Sequence, residues 1–176
     1  MFHNVKNTKV LKYFDQEEPR ECEVLFNGPI YNANDVASHV LAAKQGRSVK
    51  LFPVHEMIFA VNCATLPYFP YSPSLMGNPS NQFTLPVVEL EVPSLDSFRM
   101  LHEYLYTKDI AQIRENLTPS PLAHNIPNLC LQTTFIHGLW KNACALGVVD
   151  INLYNVLEDM YIEAQNAMRR IEALRP

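Results

Sequence analysis

The sequence predicts an α+β fold in which a small, mostly three-stranded sheet is flanked by a cluster of helices. The first observation is that residues 49–106 contain the same order twice: a short apolar strand, a proline and an amphipathic helix. The strands are residues 49–52, followed by Pro53, and residues 87–92, followed by Pro93. The second observation is composition. With 176 residues, 48% hydrophobic and 18% charged, the chain suits one domain with a sizeable core.

The N-terminal part of the chain is the least regular. Residues 1–22 are polar and mixed, and we expect a flexible N-terminal segment there, with a single domain covering residues 23–174. A short apolar run at residues 24–26 is closed by the turn signal Asn27-Gly28-Pro29. This run predicts an edge strand.

Residues 36–44 are open to two interpretations. Alanine and leucine favour a helix, which Asn34 or Asp35 would cap and Gly46 would end. The alternative is a strand that begins at residues 35–36. We favour the helix because alanine and lysine are poor strand residues, so that residues 45–47 would lead from a helix into the strand at Val49.

Each proline of the repeated unit is followed by a predicted helix. The first covers residues 55–63, with Met57, Ile58, Val61 and Cys63 at helical spacing. The second begins after Ser94 as N-cap, and its buried face contains Phe98, Leu101, Leu105 and Tyr106.

Two proline-rich insertions, residues 66–82 and 111–132, are predicted to be irregular surface loops. In the first, aromatic residues alternate with prolines, an arrangement that presents contacts to a partner protein: Tyr68, Phe69 and Tyr71. The alternative is that Leu66 and Phe69 pack beneath the loop.

The C-terminal part predicts two helices. Thr133 or Thr134 would cap the first, which ends at Gly147 and has a broad apolar stripe: Phe135, Ile136, Leu139, Trp140, Ala143 and Leu146. Asp150 would cap the last, residues 151–174, whose apolar side contains Leu153, Val156, Leu157, Met160, Tyr161 and Ala164.

Charge and hydropathy exclude several classes of partner. The net charge is −4 and the 14 Lys and Arg residues are scattered, so we expect no direct contact with nucleic acid. No run of 18 apolar residues exists to span a membrane, and the N-terminus lacks the apolar core of a secretory signal. We therefore expect an intracellular protein, in the nucleus or the cytoplasm or both, with its four cysteines as reduced thiols.

The sequence predicts no catalytic residue, no metal ligand and no cofactor. It contains no G-x-S-x-G, no phosphate-binding glycine loop and no H-E-x-x-H. Cys130, His137 and Cys144 follow one another at seven-residue steps, too far apart on a helix to share a zinc ion. We expect structural roles for His55, at the start of a helix, and for Cys63, as a small buried apolar residue. The alternative is a small-molecule-binding or enzymatic domain that uses the proline-rich loops as lids.

Local sequence patterns resemble known families. The patterns Phe-x-x-His (52–55), His-x-x-Ile-Phe-Ala-x-x-Cys (55–63) and Phe-x-x-Leu-x-x-Tyr-Leu-Tyr-Thr (98–107) resemble a BTB/POZ domain. The sequence of residues 35–63 and 85–98 is similar to the fungal clampless proteins, which regulate clamp-cell development. One departure from ordinary BTB sequences is the spacing from Asp35 to His55, which is longer than usual.

The resemblance implies a non-enzymatic protein–protein interaction module that regulates fungal sexual development, in dikaryon growth and clamp-cell formation. Its partners would be proteins: a second copy, or transcription factors of the mating pathway. BTB domains often self-associate through the helix that here begins near His55, which makes Met57 a candidate contact. Their N-terminal segment also often pairs with a second subunit. An adaptor subunit of a cullin-type ubiquitin ligase is the alternative.

Overall fold

A computed structural model describes residues 8–14, 21–27, 36–71, 81–118 and 125–173. In these residues it contains five strands and five helices, which confirms the α+β class. The elements in chain order are β1 Thr8–Phe14, β2 Glu21–Phe26, β3 His39–Gln45, β4 Ser48–Val54, α1 Glu56–Asn62, β5 Gln82–Glu91, α2 Leu95–Thr107, α3 Ile110–Leu117, α4 Ile126–Leu146 and α5 Ile151–Ala173.

The strands form one sheet in the order β1-β2-β5-β3-β4, so the sheet has five strands rather than three. All neighbouring pairs are antiparallel except β3 and β5, which are parallel. The prediction missed β1, which lies inside the segment that we expected to be flexible. Of that segment, residues 1–7 and 15–20 lie outside the described residues.

Strand β2 is internal, which corrects the expectation of an edge strand at residues 24–26. It pairs with β1 on one side and with β5 on the other. Both of its backbone edges are therefore occupied within one chain, and neither can pair with a second copy. The turn residues Gly28 and Pro29 lie outside the described part of the chain.

The predicted helix at residues 36–44 is wrong, because β3 occupies this stretch. A tight turn at Gly46 (φ 59°) then joins β3 to β4 as a hairpin, with Gln45 opposite Ser48. Strand β3 lies between β4 and β5 in the sheet, and its side chains are buried on both faces. Burial on both sides and the small volume of Ala42 and Ala43 outweigh the helix propensity of alanine.

Strands β4 and β5 are longer than predicted. Pro53 lies inside β4, opposite Val40, instead of ending it. A proline is tolerated there because β4 is the last strand of the sheet, where one backbone edge needs no partner. Strand β5 begins at Gln82, ahead of the predicted start at Val87, and its first half pairs with β2.

The second proline-rich insertion is mostly helical, which corrects the prediction of an irregular loop at residues 111–132. Asp109 caps α3 by accepting a hydrogen bond from the backbone N–H of Gln112 at 2.9 Å. Asn125 caps α4 by accepting one from the backbone N–H of Asn128. Thr133 and Thr134 are not caps, because they lie inside α4. Helix prediction failed here because Pro127 falls in the first turn of α4, where proline is tolerated.

The last helix, α5, confirms the predicted helix over residues 151–174 to within one residue. Its buried residues are Leu153, Val156, Leu157, Met160 and Ala164, whereas Tyr161 is exposed. In the part of the chain that the structure describes, no helix has the length and the apolar composition that crossing a membrane requires.

Two hydrophobic clusters hold the fold together, one on each face of β3. Leu41 and Ala43 belong to the larger cluster, which packs β3, β4 and β5 against all five helices. Val40 and Ala42 point the other way and belong to the smaller cluster, with residues of β2 and the first half of β5. The helices thus cover one side of the sheet. On the other side the strands pack against one another, and Val10 of β1 and Leu51 of β4 lie against the smaller cluster.

Candidate protein-interaction surface

Helix α1 buries one face and exposes an apolar one. Ile58 and Phe59 are buried in the larger cluster, whereas Met57 and Val61 are 64% and 65% exposed. Residues four apart lie on the same face of a helix, so Met57 and Val61 are neighbours on the surface. Of the four residues that the sequence places at helical spacing, Ile58 and Cys63 are buried, whereas Met57 and Val61 are exposed.

A second segment with exposed apolar residues lies beside the end of α1. After α4, the backbone N–H of Val149 donates to the carbonyl of Asn62 at the end of α1, at 3.0 Å. Val149 and Ile151 are 65% and 64% exposed. We call these four exposed residues the α1 patch: Met57, Val61, Val149 and Ile151.

The N-terminal end of α1 is fixed by residues from other elements. The hydroxyl oxygen of Tyr106, on α2, accepts the backbone N–H of His55 at 2.8 Å and lies 3.2 Å from Nδ1 of the same residue. Burial raises the pKa of the Tyr106 phenol, which keeps the hydroxyl neutral. The Ser38 hydroxyl accepts the backbone N–H of Glu56 at 2.9 Å, as a capping side chain would. His55 thus lies at the turn between β4 and α1, and its ring contacts Tyr106 of α2.

The residues 66–71, which we call the aromatic segment, are held by His39 of β3. The imidazole Nε2–H of His39 donates to the Pro70 carbonyl at 2.7 Å, and its ring meets that of Phe69 edge-on at 5.0 Å. Tyr68 and Tyr71 are 84% and 85% exposed, whereas Phe69 is partly buried against the larger cluster. The structure therefore presents the two tyrosines outward and packs Phe69 inward. Residues 72–80 of the predicted loop lie outside the described residues.

A small charged group lies beyond the C-terminal end of α1. Lys108 Nζ is 3.6 Å from the Asp150 carboxylate, which also accepts the Tyr104 hydroxyl at 2.8 Å. Burial acts to raise the pKa of Asp150, but the hydrogen bonds from Tyr104 and the backbone of Asn152, with the charge of Lys108, hold it below its ordinary value. Asp150 is therefore ionised at neutral pH and pairs with Lys108.

The cysteines and the possible metal ligands bear on whether the chain has a reactive site. Burial raises the pKa of the Cys63 thiol to about 11, so it is protonated at neutral pH and a weak nucleophile. No three His, Cys, Asp or Glu side chains converge on a possible metal position in the described ranges. All four cysteines are unpaired, and Cys130 and Cys144 are exposed on α4.

Sequence reasoning missed the residues that organise these surfaces. His39 was assigned to a helix, and nothing local marks it as the anchor of a segment 31 positions later. Val149 and Ile151 lie on the surface because the chain after α4 returns to pair with the end of α1, a contact between distant parts of the sequence. Met57, Tyr68 and Tyr71 were named from the sequence and are exposed.

Two family models match the chain. The N-terminal domain of clampless protein 1 matches residues 7–93, and the C-terminal domain of clampless protein 1 matches residues 86–173. The chain belongs to the clampless protein 1 family. None of the curated proteins matches it. Family membership suggests a role in fungal clamp development.

The two clampless regions overlap at residues 86–93, which include the second half of β5, and they share the larger hydrophobic cluster. The N-terminal region supplies the sheet and α1, and the C-terminal region supplies the other four helices. Leu41 and Phe52 from the first pack in the same cluster as Phe98 and Leu139 from the second. The α1 patch also combines both regions, with two residues from each.

Proposed function

We propose that this clampless-family chain is a non-enzymatic protein-interaction module with a BTB/POZ-like architecture. The BTB/POZ-like part comprises the β3–β4 hairpin with α1, and β5 with α2. The module regulates fungal sexual development, in dikaryon growth and clamp-cell formation, by binding protein partners. It acts in the nucleus, the cytoplasm or both.

The α1 patch is the observation that carries this proposal. Its four apolar side chains come from two segments and are each 64% or 65% exposed, although Ile58, Phe59 and Val148 of the same segments are buried in the larger cluster. Exposed apolar groups that cluster on a monomer mark interaction sites more often than scattered ones. Burying apolar area yields roughly 25 cal/mol per Å², so covering four such side chains contributes several kcal/mol to association.

The partner that best fits the patch is a second copy of the chain. Contacts about a two-fold axis are self-complementary, and two α1 helices that cross antiparallel bring Met57 and Val61 of both copies together. Charge also fits this arrangement. Glu56 is exposed at the N-terminal end of α1, and Lys108 lies beyond its C-terminal end, so each Glu56 would face the Lys108 of the other copy.

The state of the buried titratable groups supports binding rather than catalysis. Burial lowers the pKa of His102 to about 4, so the imidazole is neutral at physiological pH, and the Cys63 thiol is protonated. Lys108 acts to lower the pKa of the Cys63 thiol, but the effect of burial is larger, so the thiol stays a weak nucleophile. A mating-pathway transcription factor is the second partner that we propose, docked on the dimer.

Complementation of a clamp-forming fungus that lacks the gene for this chain tests the proposal. A variant carrying Met57→Asp and Val61→Asp is expected to accumulate normally and to fail to restore clamp cells. Ile162→Asp, which also places a charge on an exposed helical position, is the matched control and is expected to restore them. Clamp cells restored by the double variant at normal protein level would contradict a role for the α1 patch.

A further inference from the structure

We propose that the aromatic segment, residues 66–71, is a linear ligand for a partner domain whose aromatic-lined groove binds polyproline II conformation. Tyr68 and Tyr71 are the side chains that enter the groove. The inference rests on the proposed protein-binding function, but it uses a surface separate from the α1 patch and names the class of partner that this surface takes.

Two prolines restrict the backbone at four of the six positions of the segment. The rings of Pro67 and Pro70 fix their own φ angles, and the residues before them, Leu66 and Phe69, are kept out of the helical region by the ring that follows. The segment forms neither helix nor strand. Polyproline II has three residues per turn, so residues three apart share an edge. In that conformation the segment presents a proline edge, a tyrosine edge, and an edge formed by Leu66 and Phe69.

The structure fixes which edge faces outward. Leu66 and Phe69 pack against the larger cluster, and the Pro70 carbonyl accepts the Nε2–H of His39, which is fully buried. Tyr68 and Tyr71, three residues apart, are the most exposed of the large hydrophobic residues described. A segment anchored along one edge loses less entropy on binding than a free peptide does.

The chemistry of the surroundings narrows the partner. No Asp, Glu, Lys or Arg occurs between Glu56 and Glu89 in the sequence. A groove that binds this segment therefore recognises it through aromatic stacking on the rings and prolines and through donors to backbone carbonyls and tyrosine hydroxyls. These are the features of polyproline II-binding domains of the SH3, WW and EVH1 kinds. Because no charged residue flanks the aromatic segment in the sequence, we expect a partner domain whose groove does not require a basic or acidic residue in its ligand.

Binding of the full chain to purified SH3, WW and EVH1 domains, measured by fluorescence anisotropy, tests the proposal. We expect saturable one-to-one binding by at least one domain. Tyr68→Ala and Tyr71→Ala are each expected to weaken it about tenfold, because truncating an aromatic anchor removes a large share of the binding energy. Tyr161→Ala, which removes an exposed tyrosine from α5, is the matched control and should bind as the parent does.

Variants of the two surfaces distinguish groove binding by the aromatic segment from self-association through the α1 patch. Met57→Asp should leave groove binding unchanged, and the tyrosine variants should leave self-association unchanged. Failure of every domain to bind the folded chain, or equal binding by the Tyr68→Ala and Tyr71→Ala variants and the parent, would overturn the assignment of this segment while leaving the α1 patch as it stands. Pro67→Ala combined with Pro70→Ala checks the conformation: it keeps both tyrosines and is expected to weaken binding by loosening the backbone.

Discussion

The side chain of Asn142, on α4, pairs with the backbone of Ser94 at the start of α2. Its Nδ2 donates to the Ser94 carbonyl at 2.7 Å, and its Oδ1 accepts the Ser94 N–H at 2.9 Å. The same amide reaches the Ser97 hydroxyl at 3.2 Å. The Ser94 side chain makes no capping hydrogen bond at the start of α2. The junction between β5 and α2 is therefore held by Asn142 of α4.

Asn142→Ala is expected to lower the free energy of unfolding by about 2–3 kcal/mol, because it leaves a backbone donor and acceptor without partners in a nearly buried site. Urea unfolding followed by circular dichroism measures the change. Asn155→Ala, the same substitution at an exposed position of α5, should change stability by less than about 0.5 kcal/mol. Equal stability of the two variants would show that the Asn142 amide does not hold this junction.

Gly138→Ala is expected to destabilise the fold by about 1–2 kcal/mol, although alanine favours a helix. A Cβ at Gly138 would lie 2.5 Å from the Ser94 Oγ and 2.7 Å from the Ser94 Cβ, so α4 and α2 would have to separate. Ser94→Gly removes both atoms. The double variant should therefore lose less stability than the sum of the two single variants, as measured by urea unfolding. Strict additivity would mean that the close approach is not at Ser94.

His102 is expected to make the fold sensitive to acid. Its ring packs among Phe52, Phe59 and Tyr106, and its Nε2–H donates to the Pro53 carbonyl at 3.2 Å. Burial lowers its pKa from the ordinary 6.5 to about 4. The unfolded chain therefore binds a proton that the folded chain rejects. The contribution of the neutral His102 ring to the free energy of unfolding is therefore complete above pH 6.5. It is lost as the pH falls towards 4, which lowers the free energy of unfolding by up to about 3 kcal/mol.

Unfolding of the parent and of His102→Gln between pH 4 and pH 7 measures this contribution. Glutamine keeps an N–H donor but does not titrate, so the variant should have a flatter dependence of stability on pH across that window. Carboxylates titrate alike in both proteins and cancel in the difference. Parallel pH profiles for the two proteins would contradict the assignment of acid sensitivity to His102.

The sequence predicted those elements whose pattern is local. Pro53 and Pro93 each precede a helix as expected, and the apolar period of α5 gave its bounds almost to the residue. The strand β3 was mistaken for a helix because its alanines are buried by contacts with β5, which comes much later in the chain, and with the first strands. Local propensity carries no information about such contacts.

The candidate surface was predictable only where its exposure follows from local sequence. Prolines beside Tyr68 and Tyr71 indicate an exposed irregular segment without any tertiary information. Val149 and Ile151 belong to the α1 patch because the backbone of Val149 bonds to Asn62, which lies far away in the sequence. His39 anchors the aromatic segment from β3, a strand whose sequence pattern predicts a helix. Both contacts depend on the topology of the whole chain.

Sedimentation equilibrium of the purified chain tests most directly the claim that the α1 patch is a contact surface. We predict that the parent chain and Ile162→Asp sediment as dimers of a 20.1 kDa subunit, and that Met57→Asp sediments as a folded monomer because dimerisation would bury two like charges. A parent chain that remains a monomer at high concentration, or a Met57→Asp variant that dimerises as tightly as the parent, would contradict it.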